Sequence, residues 1–87
     1  MRVSYSVTFI RMLEKLSVEL QEESLEKIEL FGEEENHLRL KVHKLEGDLH
    51  GWYSFSVNYK TRIIFHYLKT SPKEARLDAI GDHDVYR

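Results

Sequence analysis

Residues 42–67 read VHKLEGDLHGWYSFSVNYKTRIIFHY, and the second half of that stretch decides the fold. From Tyr53 the side chains alternate: Tyr53, Phe55, Val57 and Tyr59 fall on one face, and Ser54, Ser56 and Asn58 on the other. A period of two belongs to a strand, whose successive side chains point to opposite sides of a sheet. A turn at Asn58, Tyr59 and Lys60 brings the chain back through residues 62–67, RIIFHY. Ile63, Phe65 and Tyr67 then share the apolar face, and Arg62, Ile64 and His66 the other. This is a β-hairpin with one packing face. The second face, with its hydroxyls, Arg62 and the only tryptophan, Trp52, reads as a working surface.

On the N-terminal side, Gly47 and Gly51 punctuate a loop, and Leu38, Leu40 and Val42 alternate with Arg39, Lys41 and His43 as a short extended piece. Val3, Tyr5, Val7 and Phe9 alternate with Ser4, Ser6 and Thr8, which predicts a first strand. The spacing then changes. Phe9, Met12, Leu13 and Leu16 predict a short helix of about two turns. Ser17 is placed to cap a second helix with Leu25, Ile28 and Phe31 on its apolar side, and Gly32 stands at its C-terminal cap. After the hairpin, residues 70–73 form a turn around the only proline, and Leu77, Ala79 and Ile80 predict a last strand broken by Gly81. The expected order is β-α-α-β-β-β: an α+β fold, with an αα-hairpin on one face of a small antiparallel-rich sheet. Residues 1–87 are expected to form one domain.

The 87 residues include no cysteine, which excludes disulfides and thiolate metal sites and fits a reducing, cytoplasmic setting. No run of 18 apolar residues is present, so no membrane span is expected. The N-terminus reads as a strand rather than a signal peptide. The net charge of −2 conceals an asymmetry. Residues 1–35 hold nine Glu against four Lys or Arg, which fits the wet face of helices. Residues 36–87 hold nine Lys or Arg against six acids, together with all five histidines. A polyanion would be held by the second part and repelled by the first.

There is no nucleophilic cysteine, Gly-rich phosphate loop or HExxH motif, and His37, His43 and His50 lack a compact metal-ligand spacing, so neither metal nor cofactor is expected. What remains is His43, Arg62, His83 and Tyr86, with Lys41, Lys44, Trp52 and Lys60 around them. Such a set suits RNA cleavage by the RNA's own 2′-hydroxyl. Histidine takes and returns protons near neutral pH. Arginine matches the charge developing on a phosphate, and aromatic rings stack on splayed bases. Each residue also has a plainer role: His43 and His83 as strand-end histidines, Arg62 as a surface ion-pair partner, Tyr86 as a pin for the last strand, and Trp52 as packing. His37, His50 and His66 read as structural or peripheral.

The segments HKLEGDLHGWYSFSVNYKTRIIF and LDAIGDHDVYR together resemble the RelE/ParE toxin superfamily, most closely the YafQ-like and YoeB-like mRNA interferases. The resemblance covers most of the chain and implies a metal-independent endoribonuclease that cuts mRNA on the ribosome and is held inactive by a cognate antitoxin. It implies His43 as general base, Arg62 as ligand of the scissile phosphate, His83 as general acid or phosphate ligand, and Tyr86 as the residue that orients or stacks on a base. Lys41, Lys44, Trp52 and Lys60 are then the expected RNA contacts. An acidic, partly disordered antitoxin segment is expected to wrap the cationic face. The chain departs from the pattern in its mild acidity and in Ala79, where YafQ-like members carry an arginine. The superfamily also includes ParE-like inhibitors of DNA gyrase that lack nuclease residues, which is the alternative reading.

Overall fold

The computed structural model describes residues 1–82; the expectations at His83 and Tyr86 lie outside the described residues. Strand β1 (Arg2–Tyr5) leads into helices α1 (Val7–Glu14) and α2 (Val18–Phe31). Strands β2 (His43–Lys44), β3 (Tyr53–Ser56), β4 (Arg62–Leu68) and β5 (Glu74–Gly81) follow. They form one sheet in the order β1-β5-β4-β3-β2, antiparallel except where β1 lies parallel to β5. The α+β class holds, with the two-residue β2 added to the expected strands.

The apolar face of the hairpin meets the helices. Phe55, Ile63 and Phe65 have no exposed surface, and they share one cluster with Phe9 of α1 and Ile28 and Phe31 of α2. Phe31 is its centre. Its ring stacks on Phe55 at 4.3 Å, meets Phe65 edge-on at 4.7 Å, and carries the His37 ring on its other side at 4.8 Å. His37 Nε2 donates to the Phe31 carbonyl at 2.8 Å, so His37 is a structural cap on the core.

Several sequence expectations change. The first strand stops at Tyr5, because the Ser6 hydroxyl accepts from Phe9 N–H at 3.0 Å and starts α1. Phe9 is thus buried from a helix, while Val7 is exposed. Ser17 caps α2 as expected, accepting from Leu20 N–H, but Leu25 faces outward. Gly32 ends α2 in a right-handed conformation (φ −60°), so its position rather than a left-handed backbone is what matched. Residues 38–42 are turns instead of a strand: Leu40 N–H bonds Asn36 O and Val42 N–H bonds His37 O, which leaves Leu40 buried and Leu38 exposed. Tyr59, expected on the packing face, is 89% exposed at the hairpin turn.

The pairing of β4 with β5 contains one irregularity that shapes the site. Ile64 faces Ala79 but Phe65 faces Leu77, so Asp78 is an extra residue on β5. Such a bulge bends the strand and re-aims its side chain.

A candidate active site on the helix-free face of the sheet

The face of the hairpin turned from the helices carries Ser54 and Ser56 on β3 and Arg62, Ile64 and His66 on β4. Neither Ser54 nor Ile64 belongs to the main cluster, yet both are buried and make a solid floor. This corrects one expectation, because Ser54 is not an open hydroxyl. His43 lies directly across from Ser54, and its Nε2 is 3.4 Å from Ser54 Oγ.

The backbone holds His43 in one state. Lys41 takes a left-handed conformation (φ 59°), and its carbonyl receives a 2.8 Å hydrogen bond from His43 Nδ1. A carbonyl only accepts, so Nδ1 carries the hydrogen and the neutral ring has its lone pair on Nε2. A histidine in that tautomer is ready to take a proton at Nε2.

Arg62 lies on the same side. Its Nη1 donates to the carbonyls of Asn58 at 2.7 Å, Tyr59 at 3.2 Å and Thr61 at 3.4 Å. The turn that offers these carbonyls is rigid. Asn58 Oδ1 accepts from the Lys60 and Thr61 N–H groups, and Asn58 Nδ2 donates to Glu23 of α2 at 2.8 Å. One terminal nitrogen of Arg62 therefore staples the turn, while Nε and Nη2 make no bond among the described residues.

His43 and Arg62 line one open cleft of ≈ 520 Å³ with Leu45, Glu46 and Leu49. Residues 45–52 form its wall, closed by a 2.9 Å bond from Leu45 N–H to Trp52 O and turned at Gly47 (φ 69°) and Gly51 (φ 93°). The other side of that wall is a second cleft of ≈ 310 Å³ lined by Lys44, His50, Trp52, Tyr53 and Tyr67 among others. Burial pushes the Tyr67 phenol up, and Lys73, 4.2 Å above the ring, opposes the shift. The structure thus groups His43 with Arg62, and Lys44 with Trp52. Lys41 and Lys60 line neither cleft.

Sequence reasoning passed over two features. Glu46 puts a carboxylate in the first cleft. His66, read as peripheral, is joined through Nδ1 by a 2.7 Å hydrogen bond to Asp78 Oδ2, and Trp52 meets its ring edge-on at 5.0 Å. Burial pushes the Asp78 carboxyl up, and the hydrogen bond and charge of His66, with the charge of Arg76, oppose this without cancelling it. The four-residue spacing of Arg62 and His66 already put them on one strand face. The bulge that delivers Asp78 has no sequence signature.

No protein-family model matches the sequence, and no curated protein matches it. Solved structures do. A chain of an archaeal RelE–RelB complex from Pyrococcus horikoshii superposes with a TM-score of 0.70 at 19% identity, over 93% of this chain and 92% of that one. The RelBE2 toxin–antitoxin complex from Mycobacterium tuberculosis gives 0.70 at 17% identity, over 94% and 96%. A YoeB/ParE toxin from Agrobacterium tumefaciens gives 0.68 at 16%, over 95% and 99%. The fold is that of the RelE/ParE toxin superfamily.

Proposed function

We propose that this chain is the toxin of a toxin–antitoxin pair and a metal-independent endoribonuclease that cuts mRNA presented by the ribosome. The observation that carries the reading is His43 and Arg62 on one cleft, with His43 Nε2 left as the proton acceptor. The fold shared with RelE and YoeB toxins supports it, and complexes of such toxins with RelB support an antitoxin as partner.

In this mechanism His43 Nε2 removes the 2′-hydroxyl proton, and the freed oxygen attacks the adjacent phosphorus. The Arg62 guanidinium faces the charge that grows on the phosphate oxygens. The P–O5′ bond breaks, leaving a 2′,3′-cyclic phosphate and a 5′-hydroxyl once the leaving oxygen is protonated. The cleft is open and offers few binding contacts, so the ribosome supplies the alignment of the mRNA. Lys41, Lys44, Trp52 and Lys60 are assigned to contacts with the RNA strand, and Tyr86, outside the described residues, is assigned to orient or stack on a base.

The test is a comparison of two targets after induction in cells. The expected result is arrested translation with cleaved mRNA and normal gyrase supercoiling. Intact mRNA with blocked supercoiling would overturn the ribonuclease reading in favour of a gyrase inhibitor.

A further inference from the structure

We propose, resting on the ribonuclease reading above, that His66 is the general acid of the cleavage and that Asp78 is its positioning residue. Three observations lead there. His66 Nδ1 is held by Asp78 Oδ2 at 2.7 Å, which leaves Nε2 as the working end of the ring. The His66 side chain is half-buried at 30% exposure, more open than Asp78 at 19%. The bulge at Asp78 is the device that turns the carboxylate toward the ring.

The register places this group against the rest of the site. His43 pairs with Ser54, Ser54 pairs with Ile64, and His66 stands two residues beyond Ile64 on the same face. From strand spacing and rise, the Cα atoms of His43 and His66 are roughly 12 Å apart, and those of Arg62 and His66 roughly 13 Å. The floor between them is Ser54 and Ile64. An in-line displacement needs its base and its acid on opposite sides of phosphorus, because the attacking 2′-oxygen and the leaving 5′-oxygen lie on opposite sides of it, and His43 and His66 stand at opposite sides of this floor. The proton that His43 Nε2 takes from the 2′-hydroxyl is balanced by the proton that His66 Nε2 gives to the 5′-oxygen as the P–O5′ bond breaks. Asp78 fixes the ring and faces the positive charge of its donating form, and the Trp52 edge closes the other flank. Among the described residues the charge of Arg76 also acts on Asp78, and its guanidinium donates to Ser4 Oγ at 3.2 Å and pairs with Glu74.

Two mRNAs on programmed ribosomes test the assignment, one natural and one with sulfur replacing the bridging 5′-oxygen of the scissile linkage. A thiolate leaves without being protonated, so loss of a general acid is repaired by the sulfur and other losses are not. His66→Gln, which keeps a polar side chain beside Asp78, is expected to slow the natural substrate by about 10²–10⁴-fold and to cut the sulfur substrate close to the wild-type rate. His43→Ala is expected to be slow on both. Asp78→Asn should follow His66→Gln with a smaller loss, again repaired by sulfur. The assignment is overturned if His66→Gln cuts the natural RNA normally, if it is equally slow on both RNAs, or if His83→Ala is the variant that sulfur repairs. Wild-type protein that cuts neither RNA overturns the ribonuclease reading, and this assignment falls with it.

Discussion

His43 Nδ1 and the carbonyl of Lys41 are joined by a 2.8 Å hydrogen bond that exists because Lys41 takes a left-handed backbone. The contact is made by the main chain, so the identity of side chain 41 is irrelevant to it. A left-handed conformation costs a β-carbon-bearing residue about 1–2 kcal/mol, and glycine is free of that cost. Lys41→Gly is therefore expected to hold or raise the melting temperature and to leave the His43 tautomer unchanged. Calorimetry and imidazole nitrogen shifts check the two halves. A lower melting temperature with a changed tautomer would show that the lysine side chain holds the turn.

Arg62 has two duties, and its variants should separate them. Three turn carbonyls receive Nη1, and hydrogen bonds from a charged donor contribute about 1.5–3 kcal/mol in favourable cases. Arg62→Ala is expected to lower stability by roughly that amount and cleavage by about 10²–10³-fold. Glu23→Ala releases Asn58 from α2 without touching the guanidinium, so it should lower stability and leave cleavage near normal. Equal catalytic losses in the two variants would assign Arg62 to the turn alone.

Phe31 joins α2 to both hairpin strands. Phe31→Ala removes a fully buried ring and should cost about 3–5 kcal/mol, as measured by urea unfolding. A second buried residue of the same helix behaves oppositely. Ser24 has no exposed surface, and its hydroxyl has no partner among the described residues. Ser24→Ala removes an unpaired buried group and improves helix propensity, so a gain of up to about 1 kcal/mol is expected. A loss of stability would show that the hydroxyl has a partner.

The acid side of the stability profile reports on Asp78. Burial makes the folded protein hold this proton more tightly than the unfolded chain does. The contribution is therefore fully present below the ordinary carboxylate range and is lost as pH rises through the raised native value. Asp78→Asn stays neutral throughout, so its stability relative to wild type should increase as pH rises from below the ordinary carboxylate range through the raised native value. Denaturation midpoints across that range check it, and a decreasing difference would mean that pairing with His66 outweighs burial.

The hairpin was legible because a period of two with aromatic residues on one side has few other solutions, and Phe55, Ile63 and Phe65 do fill the core. The helix starts were half legible. Ser17 announced itself, but Ser6 sat inside a run that also alternates, and only its hydrogen bond to Phe9 N–H decides between strand and helix. Leu40 was read as one of an alternating set; a local turn buries it instead, since helix-like hydrogen bonds satisfy the backbone there. In the candidate site, Arg62 and His43 were visible as residue types suited to phosphate chemistry. The His66–Asp78 pair was not, because it depends on one extra residue in the β5 register.

The most direct measurement is cleavage of a defined mRNA on programmed ribosomes by purified protein, with EDTA present, for wild type and His43→Ala. The expected result is cleavage by wild type, a 2′,3′-cyclic phosphate at the new end, and about 10²–10⁴-fold slower cleavage by His43→Ala at unchanged melting temperature. Cleavage that disappears with EDTA yet survives His43→Ala would contradict the account.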